Sequence, residues 1–218
     1  MTETLSELTC RRFPCGPIRT NAYLVTNSKG RGVLIDAAPG SFDAYARFSR
    51  SNPNCLEAVL LTHGHWDHFL DAPRFQSNGV PVYVSTFDGA WIQQLEYVRD
   101  FVPDELDGTP CAADIYLNHG DSLDLLGAQW QVLGLSGHTP GGLAYYLPTM
   151  HWVFTGDSLF AGTIGRTDLP GGNHAQLVKE IRERLLPLPP ETQVFPGHGV
   201  SSTIGREVEE NPFIQACS

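Results

Sequence analysis

The chain has 218 residues, 41% hydrophobic and 17% charged, which is enough for a filled core and ordinary for a folded globular protein. Its formal charge is −10, from 24 acids against 14 bases with Lys29 and Lys179 the only lysines, which argues against a broad surface for nucleic acid or anionic membrane. The N-terminus shows no basic segment followed by an apolar stretch, and no run approaches a transmembrane span, so a cytoplasmic location is expected, with the scattered Cys10, Cys15, Cys55, Cys111 and Cys217 reduced.

The segments "LTCRRFP" and "NAYLVTN" read as two strands and "GVLIDAA" as a third. "SFDAYARFSRS" has apolar residues at helical spacing, with Ser41 as its N-cap. "CLEAVLLT" is an apolar strand, "FLDAPRFQSNG" a helix bent or stopped near Pro73 and ended by Gly79, and "VPVYVS" a buried strand. Residues 86–112, with Trp91, Tyr97, Asp100, Phe101, Asp104, Glu105 and Asp107, are expected to form a helix plus loop on the surface, with a lid as the alternative. A meander of "SLDLLG", "QWQVLGLS", "GLAYYLP" and "HWVFTG" follows, in which Tyr145 and Tyr146 should face core and surface respectively. A clear helix comes next, capped by Asn173, with Leu177, Val178, Ile181 and Leu185 as one apolar stripe and Pro187, Pro189 and Pro190 ending it. "TQVFPG" is a last strand. Each half is rich in strands and then alternates with helix, which predicts two similar β-rich halves packed face to face with helices outside.

The chemistry concentrates in "LLTHGHWDHFLDA", which puts three of eight histidines within six positions. Roughly one chain in 1,600 of this composition would carry H-x-H-x-D-H by chance. His63 and His65 are two apart, so on a helix they would point to nearly opposite sides, and they converge only if the backbone is extended or looped. Four places share one pattern, an apolar strand, a turn with glycine, then a metal-capable side chain. "AVLLTHGHWDH" supplies His63, His65, Asp67 and His68, "VLGLSGHTPGG" supplies His138, "WVFTGDS" supplies Asp157 and "VFPGHG" supplies His198. Strands aligned in a sheet end at a common edge, so these five His and two Asp should meet at one mouth. Imidazoles and carboxylates without cysteine suit Zn2+, Fe2+ or Mn2+. Seven such groups are too many for one tetrahedral ion and suit two divalent ions sharing a carboxylate, about 3.5–4 Å apart. Thr62 and Ser158 are candidates to orient the ligands by hydrogen bonds.

These motifs resemble the metallo-β-lactamase superfamily and, within it, the glyoxalase II (hydroxyacylglutathione hydrolase) branch, over about residues 12 to 212. The resemblance implies an α+β fold, a four-layer αββα sandwich of two mixed β-sheets face to face with helices outside, as a single domain over 1–218. It implies that His63, His65 and His138 hold one metal, that Asp67, His68 and His198 hold a second, and that Asp157 bridges. Zn2+ is the first expectation, with Fe2+ or Mn2+ as alternatives. The implied reaction is hydrolysis of a thioester such as S-D-lactoylglutathione by a metal-bound hydroxide, with Asp67 as a catalytic residue that helps orient the nucleophile. The implied partner is thus a small molecule, not nucleic acid or membrane.

Two features depart from the glyoxalase II pattern. That branch carries a further C-terminal helical region supplying cations for glutathione, and none is expected here. It also carries a G-K/R-F-Y/F-E-G loop and a Tyr after the last His motif, where this chain reads "IGRTDLPGGN" and Val200. Arg166 is left as the substrate-binding anion contact, with a loop-bracing ion pair to Asp168 as the other reading. "GRTD" also occurs in related persulfide dioxygenases, so a mononuclear-iron enzyme of that kind is the alternative activity. A lactonase or other hydrolase of this fold, and a metal-stabilised binding protein, are the remaining ones.

Overall fold

The computed structural model describes residues 7–53, 55–95, 101–106 and 108–215; Tyr97, Asp100, Asp107 and Cys217 lie outside them. Strands β1 (Leu8–Cys15), β2 (Thr20–Asn27), β3 (Arg31–Ile35), β4 (Cys55–Leu60), β5 (Val82–Ser85) and β6 (Ile115–Leu117) form one sheet in that order. Its first three strands run antiparallel and β3 to β6 run parallel. The second sheet has the order β14-β13-β10-β9-β8-β7, from β7 (Ser122–Leu125), β8 (Ala128–Gly134), β9 (Leu143–Leu147), β10 (Trp152–Gly156), β13 (Gln193–Pro196) and β14 (Ser202–Thr203). Here β10 and β13 are parallel and the other pairs antiparallel. A small hairpin, β11 (Leu159–Phe160) and β12 (Thr163–Ile164), stands apart from both sheets.

Period-two alternation builds the layers. Tyr23, Val25, Val33, Ile35, Ala58 and Leu60 from the first sheet meet Trp130, Val132, Tyr145, Leu147 and Phe154 from the second in one buried cluster. The intervening residues Leu24, Leu34, Val59 and Leu61 face the other way. They pack against α1 (Ser41–Ser51), α2 (Trp66–Phe69), α3 (Ala72–Gln76) and α4 (Gly89–Gln93), through Phe42, Phe69, Phe75 and Ile92. On the far side, Ala144, Tyr146, Val153 and Val194 pack against α5 (His174–Glu180) and its π-helical continuation Ile181–Leu185, and against α6 (Ile204–Glu210) and α7 (Pro212–Gln215). The fold is therefore α+β, a four-layer αββα sandwich of two mixed sheets, as expected. Among the described residues, no helix is long and apolar enough to cross a membrane.

Asn173 caps α5, its side chain accepting from the Gln176 N–H at 3.1 Å, and Leu177, Val178, Ile181 and Leu185 are buried below it. Ser41 is the first residue of α1, not its cap. Gly40 takes that position at φ 86°, which a side chain would strain, and the Asp71 carboxylate accepts from Phe42 N–H at 2.9 Å. The helical path breaks at Leu70–Asp71, just before Pro73, which is the second residue of α3, where a missing N–H costs nothing in a first turn. Tyr146 is buried like Tyr145, since helices cover the face that alternation assigns to it. The third strand ends at Ile35, which leaves Asp36 in the loop beyond it.

Candidate metal centre

The parallel strands run toward one edge, and their loops carry the polar groups. Asp36 follows β3, His63 follows β4, Asp88 follows β5, Asp157 follows β10 and His198 follows β13. The sheets are tied together at this edge. Leu143 N–H donates to Thr62 O at 2.7 Å, the Tyr145 hydroxyl to Leu61 O at 2.7 Å and the Tyr23 hydroxyl to Pro196 O at 2.8 Å. The Asn21 backbone N–H donates to Gly197 O at 2.7 Å. Each tie is buried, so it fixes ligand loops of one half against those of the other.

His63 and His65 flank Gly64 in an irregular loop, and Asp67 and His68 lie on the single turn of α2. The structure brings all seven expected groups together. The donor atoms of His63, His65 and His138 lie within 4.8 Å of one another, as do those of Asp67, His68 and His198. A third set, His63, His68 and Asp157, joins the first two. Asp157 stands between them, with Oδ1 3.4 Å from His68 Nε2 and Oδ2 3.7 Å from His138 Nε2 and 3.5 Å from His198 Nε2. Gly197 lets the backbone come this close: a Cβ there would collide with Asp157 Oδ1 and lie 2.7 Å from His68 Cε1.

Each ligand is aimed by a neighbour. His68 Nδ1 donates to Asp36 Oδ2 at 2.7 Å, leaving Nε2 toward the centre, 3.2 Å from Asp67 Oδ2. Asp36 also accepts from Thr62 N–H at 2.7 Å and the Thr62 hydroxyl at 2.9 Å, and that hydroxyl lies 3.0 Å from His63 Nδ1. The Thr20 hydroxyl donates to Asp67 Oδ2 at 2.6 Å, and His138 Nδ1 donates to the Arg166 carbonyl at 2.7 Å. Asp88 clamps the His63–His65 loop to the His138 loop, its carboxylate accepting from Gly64 N–H at 2.9 Å and Gly141 N–H at 2.7 Å. Thr62 acts as the orienting residue the sequence suggests. The other expected one, Ser158, contributes its carbonyl to Gly165 N–H. Asp36, Asp88 and Thr20 were not foreseen. A signal existed for the two acids, since each follows an apolar parallel strand as the ligands do.

Protonation divides the donors: His63 and His65 are ready to bind a cation, whereas His68 carries a proton that a cation must displace. Burial, then the neighbouring imidazoles, pushes His65 down to about 3 and His63 well below the ordinary range, so both are neutral donors. Burial opposes charge on His68, but the carboxylates of Asp67, Asp36 and Asp157 outweigh it and raise its pKa well above normal. Burial likewise opposes ionisation of Asp67 and Asp157, and the His68 charge outweighs it, so both lie below the usual carboxylate range. His68 Nε2, His138 Nε2 and Asp157 Oδ1 are buried without a hydrogen-bond partner. Buried polar atoms left in that state are costly unless a ligand takes their lone pairs. Convergent N and O donors of this kind fit divalent cations such as Zn2+, Fe2+ or Mn2+.

A cavity of about 550 Å³ opens onto this centre, lined by His65, Asp67, His138, Asp157 and His198 at its floor. Arg166 and Phe101 also line it. The exposed Arg166 guanidinium pairs with Asp168 through two bonds of 2.7 and 2.8 Å, so the ion pair expected as the other reading is formed.

An αββα sandwich with a His/Asp cluster at the strand ends defines a metallo-hydrolase type of protein. The sequence model of the Metallo-beta-lactamase superfamily matches residues 15–198, and the chain belongs to that superfamily. Hydroxyacylglutathione hydrolase GloC of Haemophilus influenzae is 32% identical over 214 residues, covering 94% of this chain and 98% of GloC. The crystal structure of the BLEG-1 B3 metallo-beta-lactamase superposes with a TM-score of 0.86 at 34% identity, over 94% of this chain and 99% of that one. TTHA1623, solved in a di-iron-bound form, superposes with a TM-score of 0.80 at 38% identity, over 93% and 99%.

Proposed function

We propose that this protein is a cytoplasmic, dinuclear metal-dependent thioesterase acting on small acyl thioesters, with S-D-lactoylglutathione as the first substrate to test. The observation that carries the reading is the pair of ligand sets joined through Asp157. His63, His65 and His138 would hold one divalent ion and Asp67, His68 and His198 the other, with Asp157 between them. GloC supports the hydroxyacylglutathione arm and TTHA1623 supports iron as an alternative to zinc. Residues 1–218 are read as one domain. The free Cys10, Cys15 and Cys111, each held protonated by burial with pKa pushed up to about 12, 11 and 12, suit a reducing compartment.

Divalent cations at such a site lower the pKa of water and polarise an acyl oxygen. Asp67, whose Oδ2 accepts from the Thr20 hydroxyl, would help orient the attacking water. Hydrolysis forms the acyl C–O bond and breaks C–S, and a thiolate departs without needing a general acid. Arg166, at the rim and paired with Asp168, would be the cation met by any anionic group of the substrate.

The test is assay of one metal-loaded, desalted sample on S-D-lactoylglutathione and, by oxygen uptake, on glutathione persulfide. Thioester cleavage without oxygen uptake is expected. Oxygen uptake at one iron per chain, with the thioester intact, would replace this reading with the persulfide dioxygenase.

A further inference from the structure

The walls of the cavity have a different character from its floor. Ile18, Trp66, Phe101, Phe160 and Leu169 line it. Large hydrophobic side chains are seldom left in water without cause when they gather around a concave site. Ile18 is 51% exposed and Phe101 46% exposed, so this rim remains open to an incoming apolar group. Phe160 comes from the β11–β12 hairpin, which is held in place by buried Glu207: its carboxylate accepts from Gly162 N–H at 2.9 Å and also bonds Ser202 and Asn211. That wall is therefore built, not incidental. The charge available for recognition is small by comparison. The Arg166 guanidinium, which lines the rim, is already engaged in two bonds by Asp168.

We infer that the site selects its substrate by an apolar arm of several carbons seated among Ile18, Phe101, Phe160 and Leu169, and that the charged groups of a thiol carrier such as glutathione add little to binding. This deepens the thioesterase reading and rests on it for the identity of the scissile bond. The carboxylates of glutathione would have to displace Asp168 from Arg166. An alkyl or aryl arm needs no such exchange, because it removes apolar surface from water on both partners. The substrate class is then a medium-chain or aromatic acyl thioester on a small or weakly charged thiol.

Four non-hydrolysable thioethers separate the two contributions, measured by calorimetry on the metal-loaded protein: S-hexyl and S-methyl derivatives of glutathione and of N-acetylcysteamine. Five added methylenes in a half-open mouth should tighten binding by roughly tenfold or more on either carrier. Exchanging N-acetylcysteamine for glutathione at constant arm should change it by less than about threefold. Ile18→Ser and Phe101→Ser alter exposed side chains, and each should shrink the hexyl-to-methyl affinity ratio at least about threefold. Equal affinity for hexyl and methyl, or an advantage that both variants leave intact, would overturn the inference, as would a carrier effect larger than the arm effect. Hydrolysis of hexanoyl and lactoyl thioesters in the same preparation keeps the two readings apart. Cleavage of both without preference sinks the apolar-arm inference and spares the thioesterase, whereas hexyl binding without cleavage of either does the reverse.

Discussion

Asp36→Asn changes one atom in the shell around the ligands and should act more strongly on one metal position than on the other. The Asp36 carboxylate accepts three bonds, from His68 Nδ1 at 2.7 Å, Thr62 N–H at 2.7 Å and the Thr62 hydroxyl at 2.9 Å. Asparagine tolerates the left-handed backbone at φ 61°, so the loop itself should survive. It has a single acceptor oxygen. If that oxygen stays on Thr62 N–H, the amide nitrogen faces His68 Nδ1, and His68 must carry its proton on Nε2, the atom that points at Asp67 and Asp157. If the amide turns over, its N–H groups meet Thr62 N–H instead. Either way a buried bond to a charged acceptor is lost, worth about 1.5–3 kcal/mol, and metal affinity at the Asp67, His68 and His198 set should fall roughly ten- to hundredfold. Competition with a graded series of chelators, starting from metal-free protein, resolves the two binding steps, and melts in EDTA separate any loss of fold. Binding at the His63, His65 and His138 set should fall less, because Asp36 reaches His63 only through the Thr62 hydroxyl. Equal loss at both positions, or no loss at either, would refute the tautomer reasoning.

Three further outcomes follow from the same geometry. Because the His68 pKa is raised by the surrounding carboxylates, His68 is protonated in the metal-free protein below that raised value; affinity at its metal position should fall as pH drops and rise through neutrality. Calorimetry in buffers of different ionisation enthalpy should then read at least one proton released with that ion, since, against its burial, the neighbouring carboxylates raise the His198 pKa as well, and a buffer-independent heat would contradict it. Gly197→Ala drives a Cβ into Asp157 Oδ1 and His68 Cε1, so metal content should drop and stability should fall by about 1–3 kcal/mol in thermal or urea unfolding; a fully loaded variant of unchanged Tm would count against the close approach. Asp88→Asn leaves Gly64 N–H or Gly141 N–H without an acceptor and should destabilise the metal-free protein by about 1–3 kcal/mol in urea unfolding, with no change expected if the clamp carries no load.

The ligand groups were legible because histidine is scarce in this chain and because each group ends an apolar strand beside glycine. The sandwich was legible for the same reason that Tyr145 points into its centre, since period-two strands in two halves need a common core. Helix boundaries were less so: Pro73 suits either a stop or a first turn, and it occupies the first turn of α3, just after a break in the chain's helical path at Leu70–Asp71. Tyr146 shows the limit of alternation, which assigns a side chain to a face but not a cover to that face. Asp36 was absorbed into its strand because a left-handed aspartate after "GVLI" has no local mark. Thr20 orients Asp67 across 47 residues, a relation only the folded chain creates.

Anomalous diffraction from crystals of the metal-loaded protein tests the central claim most directly. Two peaks about 3.5–4 Å apart are predicted, one among His63, His65 and His138 and one among Asp67, His68 and His198, with Asp157 between. A single peak, or none, under saturating metal would contradict the two-ion centre.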